Sequence, residues 1–329
     1  MTLVGEPDDT LALSTIIASL KNDFSSLGAL IKTLGPPTTC GGGDITIRAH
    51  YLPFRNGKPM TGELLDEIRS YICNFAMSRT EIAKVHEAAE TATPQQRLIA
   101  YTKLRDDAAD LFIKAQKSTN RNGECGELLL YLLVEWILEA PQVLAKMSLK
   151  TNASMPVHGS DGIHVRYDAL SESLIFFWGE AKFHATIGGA LDSAVTSIAS
   201  TLKYDKLKED INLVRRYINL SGLSAIDQKR VVEFLDPLSP SYEKKVDASA
   251  CLIGFDFDGF KKLASVSTAD LEKIFTTLLS TELATAIKDL EVRLASAGVT
   301  HHRMEVFFLP LDSVDQLRKD WQNRIGWKA

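Results

Sequence analysis

Asp161, Glu180 and Lys182 are the side chains whose types and spacing suit chemistry on a phosphodiester. The first stands in V-H-G-S-D-G-I-H-V-R-Y-D, residues 157–168, and the other two in L-I-F-F-W-G-E-A-K-F-H, residues 174–184. Two carboxylates can hold a hard divalent cation, Mg2+ or its substitute Mn2+, through oxygen, leaving positions open for a phosphate oxygen and a water. A lysine beside them can orient that water, help to deprotonate it and offset developing negative charge. An acid and a lysine two residues apart more often form a solvated, salt-bridged strand face than a site. Here both follow the apolar run Leu174 to Trp178, where unpaired charge is expensive, and a further acid lies one strand back.

The elements that must position these groups can be read from periodicity. Asp161, Ile163 and Val165 alternate onto one face of a strand. The stretch Ala169 to Ser173 then turns the chain into Leu174 to His184, apolar enough for a central strand, on which Glu180 and Lys182 share a face and Ala181 takes the other. Two such neighbouring antiparallel strands bring the three charged groups together. Upstream, Gly126 to Leu138 reads as a helix apolar nearly all round, hence buried. Its first turn carries Glu127, where a carboxylate complements the helix dipole, whereas Glu124 falls outside the apolar register. Pro141 stops this helix and Val143 to Leu149 reads as the first core strand. Downstream come a small-residue helix, Ile187 to Leu202, a charged amphipathic helix, Lys203 to Asn219, and a short helix, Ser224 to Leu235. Lys203, Lys206, Lys208, Arg215 and Arg216 could touch phosphates, although interleaved acids favour a solvated face. Strands Ala248 to Phe257 and Met304 to Leu309 flank helices within Thr268 to Ala297, and Ser313 to Ile325 reads as a docking helix with Val314, Leu317 and Trp321 on one side.

The first third is mostly helical. Apolar residues recur from 11 to 34, ended by Gly35-Pro36-Pro37, and a strand Ile45 to Leu52 follows. A helix over 62–78 with Thr61 as N-cap, a helical run Arg79 to Glu90 and a helix Gln95 to Lys117 complete it, the last with Leu98, Tyr101, Leu104, Ala108 and Leu111 inward. Thr93-Pro94 marks a boundary, giving residues 1–92 as an accessory or partner-binding region and 93–329 as the domain with the acids. The glycine run before Asp44 lacks the G-K-[ST] ending of a phosphate-binding loop, so this chain is expected to hydrolyse no nucleotide itself.

Composition sets limits. The chain has 329 residues, 45% hydrophobic and 24% charged, the profile of an ordered globular protein. No basic, apolar leader opens it, and Leu128 to Leu138, interrupted by Glu135, is too short to span a bilayer. The four cysteines lack C-x-x-C spacing, which fits a reducing cytoplasm rather than a zinc site or a disulfide framework. The seven histidines fit no metal-ligand spacing, and His158, His164 and His184 near the acids carry no assigned role. A net charge of −5 means that grip on a polyanion needs locally clustered cations or a partner.

G-S-D followed by G-E-A-K resembles the Asp…Glu-X-Lys signature of the PD-(D/E)XK nuclease superfamily, with Ser160 where many members carry proline. The order helix, three strands, helix and strand is that of the restriction-endonuclease-like α/β fold, a mixed sheet flanked by helices. In that superfamily the helix before the sheet often lends a glutamate to the metal, and Gly126-Glu127 resembles this arrangement. The resemblance thus implies a ligand set of Asp161, Glu180 and Glu127 with Lys182 as the catalytic lysine. G-E-L-L-L-Y-L-L, H-G-S-D-G-I-H-V and W-G-E-A-K-F-H, with a helical first third, resemble the HamA/AbpA family, the nuclease subunit of bacterial Hachiman-type anti-phage defence. That resemblance implies DNA as substrate and a helicase partner that restrains the nuclease. A non-catalytic scaffold that binds a helicase or nucleic acid is the alternative.

Overall fold

The computed structural model describes residues 9–119, 123–145, 147, 161–203, 211–212, 214–216, 218, 220 and 223–327. It opens with α1 (Asp9–Ala18), shorter than the periodicity to residue 34 predicts. Asp23 Oδ1 accepts the Ser25 N–H at 2.9 Å, an Asx-type turn that competes with helix continuation, and a 3-10 turn (Ser25–Ala29) follows. Next come β1 (Lys32–Thr33), β2 (Thr38–Cys40), β3 (Ile45–Tyr51) and the small hairpin β4 (Phe54–Arg55) and β5 (Lys58–Pro59).

The helix expected over 62–78 is two: α2 (Thr61–Ile68) and α3 (Ile72–Ala76), joined by a 3-10 turn. Thr61 is already helical and Met60 occupies the cap without a side-chain bond, so the expected threonine cap is not formed. Ser78 and Glu81 make a reciprocal capping box for α4 (Arg79–Glu90). The Gln96 N–H and the Thr93 hydroxyl meet at 3.3 Å where α5 (Pro94–Thr119) begins. Leu98 and Tyr101, expected to face inward, are 69% and 39% exposed. The first turns of α5 lie against α4, where Tyr101 meets His86 at 3.0 Å, and burial starts only at Leu104, Ala108 and Phe112.

α6 (Glu124–Ile137) leads to β6 (Gln142–Leu144), β7 (Ile163–Asp168) and β8 (Ser173–His184). The strand expected over Val143 to Leu149 is described only to Leu144, and residues 146 and 148–160, including His158, lie outside the described residues. So does most of the helix expected from Lys203 to Asn219, with Lys206 and Lys208. After β8 come α7 (Ile187–Thr201), α8 (Ala225–Glu233), β9 (Lys245–Asp256), α9 (Leu271–Ala297), β10 (Arg303–Leu311) and α10 (Val314–Arg324). α9 is one helix rather than several, closed by Gly298 in the left-handed region at φ 71°.

The main sheet has the order β1-β3-β10-β9-β8-β7-β6, with β2 also on β3. β3, β10, β9 and β8 are mutually parallel, whereas β7 and β6 run antiparallel. α6, three antiparallel strands, the helices α7 and α8 and the parallel strand β9 therefore follow one another, the expected mixed α/β arrangement with one helix more between the third and fourth strands. Apolar runs bury the central strands on both faces. One face packs Phe177, Leu252 and Phe307 against Leu128 and Leu132 of α6 and Leu64 and Ile68 of α2. The other packs Cys251, Phe255 and Phe308 against Ala190 and Ala194 of α7 and Phe275 of α9. The described residues on both sides of residue 92 share this architecture: β3 pairs with β10 over five residue pairs, and Phe24, Leu64 and Phe75 lie in the same cluster as α6. All four cysteines are free thiols. Among the described residues no helix is long and apolar enough to cross a membrane.

Candidate active site

Gly179 sets the local geometry. The Asp161 N–H donates to Gly179 O at 2.6 Å and the Gly179 N–H to Gly162 O at 2.8 Å, extending the β7–β8 ladder beyond Ile163. A Cβ on Gly179 would stand 3.2 Å from Gly162 N and O and from the Leu130 side chain of α6, so the close approach favours glycine. Asp161 is thereby delivered beside Glu180 and Ala181, and its Oδ2 accepts the Ala181 N–H at 2.9 Å. That bond fixes the carboxylate through one of its two oxygens.

Glu180 and Lys182 point to the α7 side of the sheet, as period two requires. Glu180 is 7% exposed. Its Oε1 accepts a short charge-assisted bond from Lys182 Nζ, and Ser197 of α7 also bonds to its carboxyl. Burial and the neighbouring Asp161 push the Glu180 carboxyl above the usual range, against the opposing pull of Lys182 and Ser197. Burial works against the Lys182 ammonium, but Glu180 and Asp161 outweigh it and hold that group above its ordinary value. Two hard oxygen donors in one field, one of them reluctant to ionise, form a set whose repulsion a divalent cation would relieve, so the residues fit Mg2+ or Mn2+.

Asp161, Glu180 and Lys182 are thus brought together as their spacing predicts. Glu127 stands apart. Gly126 lets α6 descend onto the opposite face of β8, since a Cβ there would lie 2.7 Å from the Phe183 ring and 3.5 Å from Ala181 Cβ. Half-buried Glu127 then lies beside Gly123, at the rim of the cleft that contains Lys182. Among the described residues no three carboxylate, histidine or cysteine side chains form a group able to hold a metal, so Glu127 does not join the other two acids in one ligand set. Glu124 is buried despite lying outside the apolar register.

The cleft has a volume of about 1080 Å3 and opens between the end of β8, α7 and α10. Sequence periodicity missed two of its residues. Ser197 belongs to the small-residue stripe of α7, and Arg318, next to inward-facing Leu317, sends Nη2 to Phe183 O at 2.8 Å. A polar position flanking the apolar side of a docking helix is the only trace Arg318 leaves in the sequence. His184 lines the cleft with its imidazole held below the usual value by burial, Arg318 and Lys182. His164 is internal, its Nδ1 2.9 Å from Ala140 O, and His302 meets the Ser249 hydroxyl at 2.9 Å.

Fold and cluster define the class: a mixed α/β protein presenting two carboxylates and a lysine beside a cleft at the end of a central strand. The sequence matches the HamA family over residues 37–325, and the chain belongs to that family, the HamA proteins of Hachiman anti-phage defence. No curated protein matches the chain.

Proposed function

We propose that this HamA protein is a metal-dependent DNA nuclease of anti-phage defence, acting with and restrained by a helicase partner. The observation that carries the reading is the convergence of Asp161, Glu180 and Lys182 at a cleft, with Asp161 fixed by the Ala181 N–H and Glu180 by Lys182 and Ser197. A divalent cation on the two carboxylates would supply Lewis-acid polarisation of the phosphate and acidify a water. Asp161 offers Oδ1 and Glu180 its second oxygen. Lys182 stands where its ammonium can orient the attacking water and balance charge developing on the phosphoryl oxygens. Family membership supports the defence role. The helicase supplies restraint and adds to whatever grip a chain of net charge −5 has of its own.

The Lys182–Glu180 contact favours a second reading as well. A lysine seated on Glu180 Oε1 occupies an oxygen that a ligand would need, which suits a scaffold whose nuclease-like core only binds a partner. Plasmid degradation in Mg2+, Mn2+ or EDTA, with and without the helicase, separates the two. The nuclease reading expects metal-dependent cutting that Asp161→Asn and Glu180→Gln reduce by at least about a hundredfold at equal soluble yield, since each swap is nearly isosteric. Full cutting by either variant removes the assignment, and no cutting under any condition leaves the scaffold.

A further inference from the structure

The cleft beside the acids has a second wall, of which the reaction as described uses only Ser197. On α7, Ser193, Thr196, Ser197 and Ser200 follow one another at helical spacing and all line it. These side chains are short and uncharged, so a bulky polyanion can come close to the helix and still find hydroxyl donors. Asp192 at the same rim is neutralised by Arg293. Facing the row is Arg318 of α10. Its Nη2 is held on Phe183 O, its Nε is buried without a hydrogen-bond partner among the described residues, and its Nη1 pairs at 3.3 Å with Asp315, a carboxylate 78% exposed. The other cation lining the cleft, Lys182, is committed to Glu180. Among the described residues that line the cleft, Arg318 is therefore the cation best placed to meet a ligand's charge, held by a backbone carbonyl and paired only with a largely exposed carboxylate that an incoming phosphate can displace.

We propose that Arg318 and the α7 hydroxyl row form a phosphate-binding wall that seats the backbone of duplex DNA alongside the acid–lysine cluster. This rests on the nuclease reading for its substrate but has its own readout. Guanidinium forks match phosphate oxygens, and the hydroxyls of exposed Thr196 and half-buried Ser193 supply neutral donors along the next phosphates. Arg318 acts here as a positioning residue, not a catalytic one.

The test is binding of a short labelled duplex of mixed sequence to the full-length chain in Ca2+ buffer across a salt series. Arg318→Gln should weaken binding about fivefold or more and lower the slope of log affinity against log salt by about 0.9, the loss of one phosphate contact. Arg318→Lys should keep the slope. A merely structural role for Arg318, tying α10 to β8, would lower the melting temperature and leave the slope unchanged. Exposed Thr196→Glu, which leaves Arg318 and the core untouched, should abolish binding by placing a carboxylate in the row. Unchanged affinity and slope in Arg318→Gln, unchanged binding in Thr196→Glu, or no duplex binding by the wild-type chain at low salt overturns the wall. A wild-type chain that never cuts in Mg2+ or Mn2+, but whose binding Arg318→Gln weakens as expected, defeats the nuclease reading and leaves the wall standing.

Discussion

Lys182 is the residue on which the choice between enzyme and scaffold turns. If it orients water, Lys182→Ala should lower turnover by orders of magnitude while calorimetric Mn2+ binding persists, because a protonated lysine donates and does not ligate. If it only neutralises Glu180, its loss should depress the melting temperature and spare activity. Lys182 is 25% exposed, so the cost should fall below the roughly 3–5 kcal/mol of a fully buried pair, at about 1–3 kcal/mol. A second residue-scale expectation concerns acid. Burial holds the imidazoles of His50 and His164 down at about 4, against 6.5 when free. A lowered basic group binds its proton better in the unfolded chain, so stability is full above about pH 6.5 and is lost as pH falls towards 4, by about 2–3 kcal/mol for each histidine. Urea unfolding at pH 7, 5.5 and 4.5 should show this decline, and His164→Asn, which can keep the bond to Ala140 O, should flatten it; equal slopes would refute the assignment. Asp161, Glu180 and Lys182 were legible because period two on adjacent strands fixes their neighbourhood. Arg318 and Ser197 were not, since each reaches the cleft from a separate helix whose docking no local pattern encodes.

Gly179 carries the equivalent weight for the elements. Gly179→Ala should press a methyl against Gly162 backbone atoms at 3.2 Å, spread β7 from β8, cost about 1–3 kcal/mol and shift Asp161 away from Glu180. The expected result is a lowered melting temperature together with weaker Mn2+ binding, and a variant unchanged in both would show that the ladder tolerates the extra atom. Long apolar stretches such as Leu174 to Trp178 and Leu128 to Leu133 were readable as buried elements because their composition leaves them nowhere else to go. The break in the first expected helix was hidden: apolar spacing continues through Asn22 and Asp23 while the local Asx turn wins. Leu98 and Tyr101 misled for the opposite reason, since their spacing is helical but the helix runs on beyond the body it packs against.

For the whole molecule, the parallel pairing of β3 with β10 puts the first strands of the chain in the same sheet as the acids. A fragment beginning at Pro94 would expose the edge of β10 and strip Phe24, Leu64, Ile68 and Phe75 from the core shared with α6. It should be insoluble or lack a cooperative melt, and a soluble, cooperatively melting fragment would show that the two stretches fold separately. The fragment shows what holds the finished sheet; the position of β10 bears on how the sheet is made. It is synthesised after both β3 and β9, yet it sits between them. While the chain is still on the ribosome, β3 and β9 have no strand between them, and α10 with Arg318 has not emerged. The Arg318 side of the cleft is therefore added only after the α7 side and the acids, and a chain cut short before α10, as when a cell's ribosomes stall, is released without it.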